Sequence, residues 1–275
     1  MAWSIHRVSL ATHDLGEAQR FFGTYLGLGT ASRVDDRTIA FGAGSRGLRV
    51  RRPTRTLVKP AHDLLGPAGA RHVALEIDDL DRVARNLDKA AVPYVPAPAG
   101  DFDVPAIYTT DPALNVVAFC QRPSRTTADD AIQPWEATWG WGVHHVNLQA
   151  CDVREAIGFY VEMAGLTEGR WRAPQSMGDF SIDPRELSIL PLGDFNRGLH
   201  IIRPDPGFAW RNGFAHNPSI AGHPAFFVRD VLAVKASLES GGVLVSDAKV
   251  YAMVGMHQIY MFDPTANMIE VNQFV

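Results

Sequence analysis

The chain repeats itself, and an internal repeat restricts it to a fold that can be built twice. The segment opening at Ile5 realigns with the segment opening at Val143. This brings Asp14 onto Asp152, Phe21 onto Phe159 and Gly27 onto Gly165. Further on, RHVALEIDDLDRVARNL answers GHPAFFVRDVLAVKASL, with His72 on His223, and YTTDPALNVVAFCQ answers YMFDPTANMIEVNQ, with Asp111 on Asp263. Each copy opens with a short β-type run (Ile5, Val8, Leu10; Val143, Val146, Leu148), and a helix is predicted after it, over 14–26 and 152–164. Asp14 and Asp152 are placed as N-caps with Glu17 and Glu155 at capping-box spacing, and Gly27 and Gly165 close the helices at a C′ position. A second strand and helix begin at His72 and at His223, the last helix stopping at Gly241-Gly242. Each copy therefore reads as two strand–helix–strands modules.

The repeat divides the 275 residues into an N-terminal domain (1–125), a linker (126–141) and a C-terminal domain (142–275), enough chain for two full cores. The linker region carries Trp135, Trp139 and Trp141, which predict packing against a domain rather than a loose tether. The second copy is longer between Gly165 and His223. The extra residues fit best at Pro204–Ile220, a Gly-, Pro- and Asn-marked loop bearing Phe208, Trp210 and Phe214. It reads equally as a packing flap at a dimer contact or as a lid over a site. A net charge of −4 gives no reason to expect nucleic acid or an anionic membrane as partner, and no apolar run has the length of a membrane span. The opening MAWSIHRVSL lacks the pattern of a secretory signal, and Cys120 and Cys151 do not make a disulfide framework. A cytoplasmic location is the expectation.

Where the copies differ is more telling than where they agree. The second has His145, His223 and Glu270; the first has Arg7, His72 and Ala118 at the matching positions. Two imidazoles and one carboxylate are the facial ligand set of non-haem Fe(II) oxygenases, which leaves coordination positions open. In strands, His145 shares a face with Asn147 and Gln149, and Glu270 with Met268 and Asn272. A carboxylate in so apolar a strand is costly unless paired or metal-bound. A single strand histidine is more often structural. Here, though, one scaffold exists with and without His145 and Glu270, so the scaffold itself does not require them. His144 is expected to point to the opposite face and, matching His6, to be structural.

The stretch IYMFDPTANMIE (259–270) resembles the vicinal oxygen chelate superfamily, and within it the two-domain type I extradiol ring-cleavage dioxygenases, with their Tyr, Asp-Pro and ligand Glu. The resemblance covers nearly the whole chain. It implies an α+β fold of tandem vicinal-oxygen-chelate domains, each of two βαβββ modules forming a curved sheet around a cavity. It implies Fe(II), with Mn(II) as the other option, at His145, His223 and Glu270, a degenerate metal-free N-terminal domain, and cleavage of a catechol-like aromatic diol with O2. Homo-oligomers are common in the family. A family acid/base histidine finds its candidate in His200 of GLHIIRP, whose plain alternative is a surface histidine, and the motif tyrosine is Tyr260. Tyr251 stands where the family carries a second-shell histidine, with His257 nearby as a substitute, and Ala266 stands where it prefers Gly or Pro.

Other readings stay open. An isomerase, epimerase or lyase on the same scaffold would need no O2 but usually a second carboxylate; Glu186 and Asp194 precede His200 without a position the sequence can assign. A ligand-sequestering resistance protein would tend to lack the full triad. GAGSRG (42–47) fits a dinucleotide fingerprint but precedes a strand-like run, so it reads as a hairpin turn. Asn217-Pro218-Ser219 is no glycosylation site. Arg49, Arg51, Arg52 and Arg55 read as a solvated strand edge, or else as an anion site. Phe180, Phe195, Phe208, Trp210 and Phe214 suggest an aromatic pocket.

Overall fold

The computed structural model describes residues 3–53, 71–123, 139–171, 183–251 and 253–275. The strands of the first half are β1 (Trp3–Ala11), β2 (Ser32–Asp35), β3 (Thr38–Phe41), β4 (Gly47–Arg51), β5 (His72–Ile77), β6 (Tyr94–Pro96), β7 (Ala106–Thr110) and β8 (Val116–Gln121). Those of the second are β9 (Trp141–Gln149), β10 (Leu187–Pro191), β11 (Gly198–Ile202), β12 (His223–Val228), β13 (Ser246–Lys249), β14 (Met256–Phe262) and β15 (Met268–Phe274). They form one eight-stranded sheet in the order β2-β3-β4-β1-β5-β8-β7-β6 and one seven-stranded sheet in the order β10-β11-β9-β12-β15-β14-β13. The two orders superpose, β2 alone having no counterpart among the described residues. In each sheet two modules meet at an antiparallel central pair, β1 with β5 and β9 with β12, and each module's last strand lies parallel to a central strand. This is the α+β tandem of βαβββ modules expected from the repeat.

Five α-helices accompany the two sheets among the described residues. They are α1 (Leu15–Ala18), α2 (Leu80–Lys89), α3 (Val153–Ala164), α4 (Phe208–Asn212) and α5 (Val231–Ser240). α1 runs into a π-helical stretch, Gln19–Tyr25, a widening that the predicted α-helix did not anticipate and that buries both Phe21 and Phe22. The caps form as half boxes. Asp14 accepts from the Glu17 N–H and Asp152 from the Arg154 and Glu155 N–H groups. The return bond is missing in the first copy, because the Asp14 N–H donates to Thr12 Oγ and the Glu17 carboxylate pairs with His13 instead. Gly165 ends α3 at φ 67°, the left-handed geometry that favours glycine. No described helix is long and apolar enough to cross a membrane.

One continuous apolar core runs through both halves, including Phe22, Leu75 and Val83 of the first and Trp141, Tyr160 and Phe226 of the second. Trp141, assigned from sequence to the end of the linker, is the buried first residue of β9 and stacks with Trp139 at 5.1 Å; Trp135 lies outside the described residues. Two matching Asp-Pro turns latch the halves together. Asp111 and Asp263 each accept backbone N–H bonds within their own turn. The Asn115 amide then donates to the Gln149 carbonyl at the end of β9, and the Asn267 amide to the Ala11 carbonyl at the end of β1. The turns place Leu114 and Ala266 at φ 66° and 60°.

GAGSRG is the β3–β4 hairpin turn, with Gly42, Gly44 and Gly47 all at positive φ and no helix following. The basic run is not an exposed edge: β4 lies between β3 and β1, and Arg49 is buried against Asp101. Arg55 is outside the described residues.

Candidate metal centre

The site is a row across the second sheet. Register sets His145 of β9 opposite Ala225 of β12, Ala225 beside Glu270 of β15, and Glu270 opposite Tyr260 of β14. Residues in register share a face, so these side chains stand side by side. His223, two residues before Ala225, stands on that face as well. The methyl of Ala225 is the floor between the imidazole of His145 and the carboxylate of Glu270. At this point β9 carries a bulge: Val143 pairs with Phe226 and His145 with Ala225, so His144 is the surplus residue. The bulge breaks strict alternation, and His144 does not point away as the sequence pattern implied. Its Nδ1 lies 2.9 Å from Nδ1 of His145.

Two of the three donor groups are visibly prepared. His223 donates its Nδ1–H to the Ala221 carbonyl at 2.9 Å, which turns its Nε2 toward Glu270 Oε2 at 3.5 Å. His145 Nε2 lies 3.3 Å from the same oxygen. Glu270 Oε1 is occupied by N–H groups of Gln258 and Asn272, each at 3.1 Å. Burial works to raise the Glu270 carboxyl, but the two imidazoles overcome it and hold it well below the usual carboxylate range. The three donor atoms lie within 4.8 Å of one another, all buried. Two imidazole nitrogens and an ionised carboxylate, converging above an alanine methyl and held by hydrogen bonds to their far atoms, fit a first-row divalent ion.

His200 of β11 lies face to face with His145, ring centroids 3.9 Å apart. It is 2 % exposed, so the surface alternative does not hold. Its Nε2–H donates to the Asn196 carbonyl at 2.5 Å, from a turn in which Phe195 and Asn196 both take left-handed φ. Burial, then the neighbouring His145, push its pKa well below 6.5, so the ring is neutral with the Nδ1 lone pair available. The Tyr260 hydroxyl accepts from Gln258 at 2.8 Å, and burial together with Glu270 keeps it protonated. Tyr251 also reaches the cavity, its hydroxyl donating to the Asn212 amide oxygen. His257 does not. It neighbours Gln258 on β14 but faces the other way, bonded to Asp247 at 2.8 Å, and it is absent from the cavity wall.

Above the row is a cavity of about 600 Å³ whose wall includes Asn147, Trp171, Ile202, Phe208, Met253 and Tyr260. The inserted segment Pro204–Ile220 supplies one side through α4, with Phe208, Arg211 and Asn212, and through Pro218 and Ser219. Phe214 packs beneath it against Tyr251 and Tyr260. Trp210 is 87 % exposed, and Phe195 packs on Phe274 away from the cavity; Phe180 lies outside the described residues. Glu186 sits at the rim paired with Arg203, and Asp194 in the turn before β11. Neither adds a carboxylate to the triad. Sequence reasoning missed Gln258, Trp171 and Asn196. Polarity on the inward positions of β14 was the available signal for Gln258.

The first half fills the same place with its own charges. Arg7, 1 % exposed, lies over the Phe102 ring at 3.9 Å and donates to the Asp101 carbonyl at 2.8 Å and to His72 Nε2 at 3.2 Å. Arg49 and Tyr108 also hold Asp101. The guanidinium occupies the position of the His145 imidazole, and Ala118 offers no donor.

Neither family models nor curated protein sequences match the chain. Solved structures do. A catechol 2,3-dioxygenase aligns over 98% of this chain and 87% of its own, with TM-score 0.60 and 14% identity. The 2,2',3-trihydroxybiphenyl 1,2-dioxygenase of the dibenzofuran-degrading Sphingomonas wittichii strain RW1 aligns over 98% and 91%, with TM-score 0.63 and 12% identity. The chain has the two-domain extradiol dioxygenase fold. A Mn(II)-bound glyoxalase from Novosphingobium aromaticivorans shares it, at TM-score 0.59 and 14% identity over 99% of this chain and 83% of that one. The likeness in fold thus extends over both halves of the chain.

Proposed function

We propose that the chain is a metal-dependent extradiol-type dioxygenase that opens the ring of a catechol-like diol with O2, using Fe(II), or Mn(II), held by His145, His223 and Glu270. The observation that carries this reading is the convergence of those three donors at the base of a cavity walled by Trp171, Phe208 and Tyr251. When bound, the ion supplies a Lewis-acid centre and a path for electrons between diol and O2. The chain's own residues do the rest. Stacked on His145, His200 offers Nδ1 as base to a diol hydroxyl and returns the proton to the opening product. Tyr260, kept protonated, gives a hydrogen bond to a substrate oxygen. The α4 segment, tied down through Asn212 and Tyr251, excludes water. Residues 1–125 act as a structural partner whose metal position is closed by Arg7, with 142–275 as the working domain.

Anaerobic reconstitution with Fe(II), followed by oxygen uptake over a panel of catechols, tests the proposal. Uptake coupled to a ring-opened yellow product, absent from Glu270→Ala, is the expected result. Stoichiometric metal with no uptake on any diol would overturn it in favour of an isomerase, epimerase or lyase, for which similarity to a glyoxalase is the supporting observation. Absence of metal binding would leave the ligand-sequestering reading.

A further inference from the structure

Glu270 has two oxygens, and the protein treats them differently. Oε2 faces His145 and His223 at 3.3 and 3.5 Å. Oε1 turns the other way and accepts from Gln258 Nε2 and Asn272 Nδ2, both at 3.1 Å. The two amides reach it from one register pair, since Asn272 of β15 stands opposite Gln258 of β14 in the row next to that of Glu270 and Tyr260. Gln258 spends its second N–H on the Tyr260 hydroxyl at 2.8 Å. Both amides are buried, at 2 % and 0 % exposure, and both leave their own oxygens without a hydrogen-bond partner among the described residues. A buried amide with an unused acceptor costs stability. The N–H groups are the part of these side chains that the site uses.

We infer that Gln258 and Asn272 are positioning residues that hold Glu270 to one-oxygen coordination. The inference rests on the metal reading above. An octahedral ion held by His145, His223 and one carboxylate oxygen keeps a full open face. If both Glu270 oxygens bound, one of those positions would be lost, and a chelating diol could not share the ion with O2. Two N–H donors on Oε1 oppose that slide by occupying its lone pairs. Gln258 also fixes the Tyr260 oxygen relative to Glu270, so one amide sets both the ligand and the tyrosine beside it.

Mn(II) alone is the probe. Water-proton relaxation of the Mn(II)-loaded protein reports how many exchangeable waters the ion carries, and a chelator competition reports its affinity. In Asn272→Leu and in Gln258→Leu, Glu270 becomes free to bind through both oxygens, and the relaxation enhancement falls by about a third as one of the open positions closes. Gln258→Leu lies on the cavity wall and serves where Asn272→Leu fails to fold. Loaded variants with the wild-type enhancement would overturn the clamp while leaving the metal site standing. Wild-type protein that takes up no Mn(II) or Fe(II) would overturn the metal reading and the clamp with it, so the two failures are distinct.

Discussion

His200 and Glu76 are both buried, and the proposed function gives them opposite duties. His200 is locked as the Nε2–H tautomer by Asn196 and kept neutral by burial. His200→Ala is expected to retain full metal content while kcat falls by roughly 10²–10⁴-fold, the usual worth of a positioned acid or base; anaerobic metal titration beside steady-state rates checks it. Glu76 does structural work in the first half, accepting from Ser4 and pairing with His6 and Arg46. Burial alone would raise its pKa, but His6 and Arg46 reverse the effect and lower it from 4.5 to about 2. A depressed carboxylate stabilises the fold fully above its unfolded pKa and loses that contribution as pH falls toward the folded value. Wild-type stability should therefore decline between pH 4.5 and about 2. Glu76→Gln should flatten that part of the profile in acid-dependent urea melts. The grouping of His145, His223 and Glu270 was legible in the sequence because the copies disagree at His145 and Glu270 on a shared scaffold. His144 was misread because a single bulged residue defeats alternation, and no spacing rule announces a bulge. The bonds of Gln258 and Asn272 to Glu270 were hidden because they depend on the exact register of β14 against β15, which alternation alone does not fix.

Among the elements, the Asp-Pro turns are the most exposed to a simple test. Leu114 and Ala266 occupy left-handed backbone at φ 66° and 60°, where a Cβ costs about 1–2 kcal/mol. Glycine relieves this at an entropic cost of roughly 0.5–1 kcal/mol. Ala266→Gly and Leu114→Gly should each raise stability by up to about 1 kcal/mol, read as a higher denaturant midpoint at unchanged m-value. The departure from Gly or Pro noticed at Ala266 in the sequence thus has a backbone meaning. Element types were otherwise readable from periodicity and caps: α3 ends at Gly165 as placed. The π-helical stretch Gln19–Tyr25 was not readable, since the pattern of buried residues is nearly the same for either winding. The inserted segment divides likewise. Its position was clear from the unequal copies, whereas its inner aromatics, Phe208 and Phe214, could be separated from the exposed Trp210 only once α4 was in place.

At the level of the whole molecule, the halves are bound by a common apolar core and by two exchanged amide bonds, Asn115 to Gln149 and Asn267 to Ala11. Asn267→Ala removes one of these and the side-chain bond to Asp263 within its turn, and should lower stability by about 1–3 kcal/mol. Calorimetry should still show one transition, because neither sheet can expose its side of the shared core alone. The tandem architecture was foreseeable from the repeat, but not this mutual embrace, because each latch residue reads as an ordinary turn asparagine. The exchange has a corollary for the covalent chain. Each half completes the other's strand end, so these contacts do not depend on the peptide that joins the halves. The two pieces, produced as separate polypeptides, should recognise one another and reconstitute a single particle, as complementary fragments do.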